Sequence, residues 1–254
     1  MPIEAFHHLY HVPGFKYEYT RGHADISVQR SAHAVVAAPA NRILEHTEPS
    51  LPEDVDLEPA SGTSVEALET LWVNTFVGMP DYYGWAVEDI RDSARNSLDS
   101  LYGDEDALHP ASVVARRNGD LVAALLVNEN KTRPLIEVLC VERTLRRRGI
   151  GQALVHRVAR RLKDDREEKE GEERTTLCSG YLLANRGSAA WHEAVGFIEI
   201  PSLVVMTHRY RCLQHNLKHG RVQDPFWARH RKENLQERLN QMREEQRHDP
   251  AAHA

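Results

Sequence analysis

The sequence predicts an α/β fold, with a small β-rich extension before its core and a helical tail after it. Three observations lead there. Apolar residues alternate at period two in some segments and recur at helical spacing in others. An Asn118-Gly119 pair separates two apolar runs, and a further apolar run leads through a glycine-containing loop into an amphipathic helix. At 254 residues, 41% apolar and 28% charged, the chain is long enough for a sizeable core, and no apolar stretch approaches the ~20 residues that a bilayer span requires. No membrane role is therefore expected. The start, Met1-Pro-Ile-Glu-Ala-Phe-His-His, has neither the basic nor the apolar region of a secretion signal, so a cytoplasmic protein is expected. Cys140, Cys178 and Cys212 are odd in number and embedded in apolar runs, which fits buried reduced thiols. The net charge of −6 argues against a nucleic-acid binder driven by overall charge.

In chain order, Phe15-Lys-Tyr17-Glu-Tyr19, Ile26-Ser-Val28 and Ala34-Val-Val36, separated by Gly14, Arg21-Gly22-His23 and Arg30-Ser31, read as an antiparallel meander in an extension over residues 1–46. Residues 47–64 carry three prolines, acids and small polar residues without periodicity, the composition of a linker. A core follows over 65–210. Val65, Leu68, Leu71, Trp72 and Phe76 give one helix; Val87, Ile90, Ala94, Leu98 and Leu101 give a second. Ser112–Arg116 and Leu121–Val127 form a hairpin about Asn118-Gly119, and Leu135–Val141 is the next strand. The helix after it carries Leu154, Val158 and Leu162 on one face, and the charge run at 164–174 is a helix end and solvated loop. A strand at Thr176–Leu183, a helix at Ser188–Val195, a strand after Gly196-Phe197 and the apolar run Leu203–His208, read as another strand, complete the core. The tail, 211–254, is helical, with Trp227, Leu235, Leu239 and Met242 on one narrow stripe that suits docking on the protein's own surface or self-association.

Chemistry concentrates at Arg146-Arg-Arg-Gly149-Ile-Gly151. A loop that opens a helix directly after a strand converges backbone N–H groups and the positive helix end on one point, an anion cradle. Gly149 and Gly151 allow a phosphate close to the backbone, and Arg143, Arg146, Arg147 and Arg148 surround it with positive charge, which makes a diphosphate the natural ligand. The segment lacks the Gly-Lys-Ser/Thr of a Walker loop and the three glycines of a dinucleotide fingerprint. A solvated basic turn with a capping glycine is the bland alternative.

The run Leu139-Cys-Val141-Glu-Arg-Thr-Leu-Arg146-Arg-Arg-Gly149-Ile-Gly151-Gln-Ala-Leu154 closely resembles the acyl-CoA-binding motif of the GNAT superfamily of N-acyltransferases, an apolar strand followed by Gln/Arg-x-x-Gly-x-Gly/Ala. A second family signature is matched in order by Asn185, Ser188, Trp191-His192 and Gly196-Phe197. The resemblance covers about residues 60–210 and implies the GNAT fold, a mixed central sheet flanked by helices, with acetyl-CoA as acyl donor and an amine as acceptor. It implies that the amides of Arg147, Arg148, Gly149, Ile150, Gly151 and Gln152 hold the CoA diphosphate, with Arg146 supporting the loop and Asn185 on the cofactor side. It further implies that pantetheine inserts between the strand ending at Val141 and the one ending near Leu183. The Leu139 N–H then polarises the thioester carbonyl and Val141 contacts pantetheine. The acceptor site would be shaped by the loop Met79–Trp85, where Tyr82, Tyr83 and Trp85 stand; core packing is the alternative role for these aromatics.

A protonated amine cannot attack, so a base is needed. Glu137 shares a strand face with Leu139 and Val141 by the two-residue period and is the first candidate, a water-facing glutamate being the alternative. His192 stands where many members of the family carry a tyrosine that protonates the departing thiolate. An imidazolium is a poor acid at the pH that frees an amine, so His192 is expected to pack or to contact CoA, with Tyr181 as a substitute donor. Six histidines fall in the first 46 residues, His7-His8-x-x-His11 most tightly, but no cysteine or carboxylate pair accompanies them, and no metal is expected. The expected partner is a small-molecule or peptide amine, with no nucleic acid and no membrane; the oligomeric state is open, a homodimer included. A non-catalytic acyl-CoA-binding module is the second functional reading.

Overall fold

The computed structural model describes residues 11–20, 23–28, 32–104, 107–129, 133–168 and 175–248. The elements are β1 (Phe15–Thr20), β2 (His23–Val28), β3 (His33–Pro39), α1 (Ala40–Leu44), β4 (Val55–Pro59), α2 (Val65–Phe76), α3 (Val87–Tyr102), β5 (Val113–Arg117) and β6 (Asp120–Asn128). They continue with β7 (Leu135–Val141), α4 (Ile150–Glu168), β8 (Thr176–Leu182), α5 (Arg186–Ala194), β9 (Ile198–Ile200), α6 (Leu203–Lys218) and α7 (Pro225–His248). The chain divides into two compact units, one of residues 36–180 with 190–199, the other of residues 1–35, 181–189 and 200–254.

The main sheet runs β4-β5-β6-β7-β8-β3-β9. Its first four strands pair antiparallel, and β7 pairs β8 in parallel, so the sheet is mixed as expected. Asn118 (φ 52°) and Gly119 (φ 90°) both take the left-handed conformation that a two-residue hairpin turn demands, and Arg117 lies opposite Asp120. Ser64 accepts from the Ala67 amide at 3.2 Å and starts α2. Its Leu68, Leu71, Trp72 and Val73 meet Ile90, Ala94, Leu98 and Leu101 of α3 and close over Val114, Ala124, Leu126, Val138 and Cys140 of the sheet. Burying those side chains supplies the principal stabilisation, roughly 1.5–3 kcal/mol for each large aliphatic. Glu69 is buried on α2 and is bonded by Arg91 at 2.9 Å and Arg95 at 2.8 Å, which compensates its desolvation.

Three elements differ from the sequence expectation. The stretch read as a linker, 47–64, contains β4, an edge strand whose Glu58 pairs with Arg116 of β5, while Asp54 just before it pairs with Arg117. The run at 33–39, read as the third strand of a meander, enters the main sheet between β8 and β9, with Ala34, Val36 and Ala38 buried on alternate positions. Leu203–His208, read as a strand, is the first part of α6: Ser202 Oγ accepts from the Val205 amide at 3.2 Å, and Val205, Cys212 and Asn216 are buried at helical spacing. In the smaller unit β1 and β2 pair antiparallel with Phe15 opposite Val28. On α7, Leu239 and Met242 are buried whereas Trp227 is 63% exposed, so the apolar stripe divides in two. The expected turns at Arg21-Gly22 and Arg30-Ser31, and the charge run past Glu168, lie outside the described residues. No described helix is long and apolar enough to cross a membrane.

Candidate active site

The cradle is built from the end of β7 and the start of α4. Arg147 (φ 63°) and Gly149 (φ 80°) adopt left-handed backbone conformations on either side of Arg148, an alternation that gathers successive N–H groups toward one side. Ala153 N bonds Gly149 O at 2.9 Å, the first bond within α4, so the amides of Ile150, Gly151 and Gln152 precede the helical ladder and are aimed outward from its N-terminus. Arg147 and Arg148 are exposed, whereas the Arg146 side chain turns inward to the Val141 carbonyl oxygen (3.1 Å) and the Thr75 carbonyl oxygen (2.9 Å). A side chain at Gly151 would point at Val141 Cγ2 (3.6 Å), Trp191 Nε1 (3.8 Å) and Leu139 Cδ2 (4.0 Å). The first turn of α4 and the Leu139–Val141 face of β7 therefore border one crevice. These free amides and bare glycines fit a diphosphate followed by a narrow extended chain. Sequence reasoning missed a neighbour: Thr47 O accepts from Gln152 Nε2 at 3.0 Å, and a Cβ on Gly149 would lie 2.7 Å from Pro49 Cβ, so the Thr47–Ser50 segment flanks the loop.

The β7 edge gives the crevice its donors. Glu142 N donates to Val122 O at 2.8 Å, and Ala123 faces Val141, Ala124 faces Cys140 and Leu125 faces Leu139. In an antiparallel ladder bonded and non-bonded pairs alternate, so the Cys140 amide faces β6, and the Leu139 and Val141 amides face the opposite side, where β8 lies. The register with β8 consists of Leu135 opposite Cys178 and goes no further among the described residues. The register with β6 shifts between Leu126 and Val127: Val138 faces Leu126 and Ile136 faces Val127, which leaves Glu137 as the extra residue of a β-bulge. Glu137 is exposed between buried Ile136 and Val138. Nothing in the composition of β7 signals the bulge.

His192 is buried on α5, its Nε2 2.9 Å from Ser179 Oγ, with Trp191 and Phe197 packed edge-on to its ring. Tyr181 and Asn185 belong to the smaller unit, where Tyr181 is buried and Asn185 Oδ1 accepts from Ser188 N at 3.0 Å, capping α5. In the loop between α2 and α3, Tyr82 OH accepts from Trp72 Nε1 at 3.3 Å and its ring packs on Phe76 and, edge-on, on Trp85, while Tyr83 is 64% exposed. The three cysteines are free. Burial raises the Cys140 thiol to about 12 and Cys212 to about 11, and raises Cys178 as well, so thiolate nucleophiles are suppressed. Among the described residues no group of three or more His, Cys, Asp or Glu is placed to hold a metal; His7 and His8 lie outside those residues.

The Acetyltransferase (GNAT) family matches residues 70–197, half of the chain and the span that holds β7, the loop and α4. A search of curated proteins gives no match. Solved structures with similar folds include a functionally unknown conserved protein from Staphylococcus epidermidis, 13% identical over 66% of this chain and 57% of that one, TM-score 0.48. A tandem GNAT protein from the clavulanic acid biosynthesis pathway is 17% identical over 67% of this chain and 54% of that one, TM-score 0.45. The ribosomal-protein-S18-alanine N-acetyltransferase of Escherichia coli is 16% identical over 58% and 79%, TM-score 0.40. The chain spans little more than half the length of the first two.

Proposed function

Because the chain belongs to the acetyltransferase (GNAT) family, we propose that it transfers the acetyl group of acetyl-CoA to a primary amine by direct attack in a ternary complex. The observation that carries this reading is the pair of β7 amides, Leu139 and Val141, turned away from β6 beside a helix N-terminus whose first amides are unbonded within the helix. Acetyl-CoA supplies an activated thioester. The amides of Arg147–Gln152 bind its diphosphate, with Arg147 and Arg148 adding charge. Val141 orients the pantetheine chain, and Leu139 N–H donates to the thioester oxygen, where negative charge develops as the amine attacks.

Glu137, lifted out of register by the bulge, accepts the proton that the amine loses, directly or through one water. The new C–N bond forms as the C–S bond breaks, and CoA leaves as a thiolate that water protonates. Tyr83 is the acceptor contact on the α2–α3 loop, whereas Tyr82 and Trp85 shape its wall. Raised thiol pKa values at all three cysteines favour direct attack over an acyl-cysteine relay. The test is release of CoA thiol from acetyl-CoA across a panel of polyamines, amino acids and peptide N-termini. Amine-dependent release supports the proposal; tight CoA binding with no release for any amine would support a non-catalytic acyl-CoA-binding module instead.

A further inference from the structure

The acidic average of the chain conceals a basic region far from the cradle in sequence. Residues 203–232, covering α6, the turn after it and the first two turns of α7, contain seven arginines and lysines and four histidines against one acid, Asp224, in a protein of net charge −6. That acid is engaged as a cap: its Oδ1 accepts from the Phe226 and Trp227 amides at 3.0 and 3.1 Å. Arg211, Lys218, Arg221, Arg229 and Arg231 are exposed, and none of the five forms an ion pair among the described residues. Phe226 and Trp227, at the start of α7 and two to three residues before Arg229, are 73% and 63% exposed, with Trp227 packed edge-on to His230.

Between the two helices lies a cavity of about 110 Å³ lined by Arg209 of α6 and Arg231 of α7, with Cys212, Asn216 and His11. His11 Nε2 is buried without a hydrogen-bond partner among the described residues. Burial above all, with the neighbouring His215, His219 and His208, pulls the His11 imidazole down to about 4.

We propose that the α6–α7 hairpin binds single-stranded nucleic acid, with phosphates on Arg211, Arg221, Arg229 and Arg231 and unpaired bases stacked on Phe226 and Trp227. Guanidinium groups interleaved with exposed aromatic faces are the two elements such recognition requires. A lipid surface fits less well, because on that stripe of α7 Leu239 and Met242 are buried and Leu235 is half-buried against the cavity, and two exposed aromatics make no continuous apolar face. A second copy docked on this surface would bring like charges together. The net charge argues only against binding driven by overall charge; with a Debye length of about 8 Å in physiological salt, it is the local charge that a phosphate meets. The proposal is independent of the acyltransfer reading.

The test is fluorescence anisotropy of a labelled oligouridylate of ~20 nucleotides with the full-length protein, at about 50 mM salt and upward. Binding is expected, weakening steeply with salt at a logarithmic slope of about −0.7 per phosphate contacted. The triple variant Arg211→Glu, Arg221→Glu, Arg229→Glu should weaken it at least ~10-fold, and Trp227→Ala about 5-fold or more, with circular dichroism unchanged. No binding at low salt, full affinity in the triple variant, or an affinity indifferent to Trp227→Ala would overturn the proposal. So would capture by phosphatidylserine vesicles, or dimerisation by sedimentation, in the absence of oligonucleotide binding.

Discussion

Arg146 Nη2 donates to the Thr75 carbonyl oxygen at 2.9 Å while its Nε donates to the Val141 carbonyl oxygen at 3.1 Å, so one half-buried guanidinium ties the end of β7 to the last turn of α2. Nη1 also lies 3.4 Å from Met79 Sδ, at the head of the loop between α2 and α3. A planar fork can reach both carbonyls, whereas an ammonium on a flexible stem cannot. Arg146→Ala should therefore cost about 1–3 kcal/mol of unfolding free energy, and Arg146→Lys should recover little of it. Equilibrium denaturation in urea decides this; an unchanged midpoint in both variants would show the tie to be dispensable.

His192→Ala removes the partner of Ser179 Oγ, 2.9 Å away in a buried site, and opens a hole between Trp191 and Phe197. The stranded hydroxyl alone is expected to cost about 1–3 kcal/mol, while kcat falls less than ~10-fold because the ring is held away from solvent by its packing. Thermal melts and steady-state kinetics on one preparation separate the effects. A large loss of kcat in a variant that melts like the wild type would make His192 a participant in the chemistry.

Burial holds the His156 imidazole of α4 below its ordinary value of 6.5, and its Nε2 has no hydrogen-bond partner among the described residues. With the folded-state pKa depressed, the unfolded chain binds more protons below pH 6.5, so stability is full above that pH and declines as pH falls through it. His11, lowered to about 4, acts with the same sign over the window from 6.5 to about 4. His156→Leu replaces an unsatisfied polar ring by an aliphatic group, so it should leave stability at pH 7 unchanged or raise it by about 1 kcal/mol. The gain should be larger at pH 5.5. Urea denaturation at both pH values checks the sign; a variant that loses stability at pH 7 and gains none at pH 5.5 would contradict it.

The sequence carried much of this structure on its surface and hid the rest for identifiable reasons. Asn118-Gly119 announced a hairpin because few other residues tolerate two consecutive left-handed positions. The cradle was legible because its glycines and arginines are contiguous. Ala34, Val36 and Ala38 announced a strand, but alternation names no partner, so their place between β8 and β9 was out of reach. Val204-Val205-Met206 favoured a strand locally, and the deciding pattern of Val205, Cys212 and Asn216 with the Ser202 cap extends beyond that window. The bulge at Glu137 depends on how β6 aligns with β7, a property of two distant segments.

Glu137→Gln keeps the size and position of the bulged side chain and removes its basicity. Turnover with the true acceptor should fall on the order of 10²-fold at neutral pH, with the affinity for CoA little changed. Initial rates over a range of pH test the assignment. Activity within a few-fold of wild type would move the proton to water or another residue.

Calorimetric titration of acetyl-CoA into the wild type and into Gly151→Val tests most directly that the β7–α4 loop is a CoA site. Gly149 is the poorer probe, because its φ of 80° and the nearby Pro49 would strain any replacement. A Cβ at Gly151 meets Val141, Trp191 and Leu139 at ordinary contact distances of 3.6–4.0 Å. The added methyl groups of valine would then crowd the crevice beside Val141 and Leu139. The expected result is saturable one-to-one binding by the wild type and at least ~10-fold weaker binding by the variant at an unchanged melting temperature. Equal affinity in a folded Gly151→Val, or no binding by the wild type, would contradict the assignment of this loop to CoA.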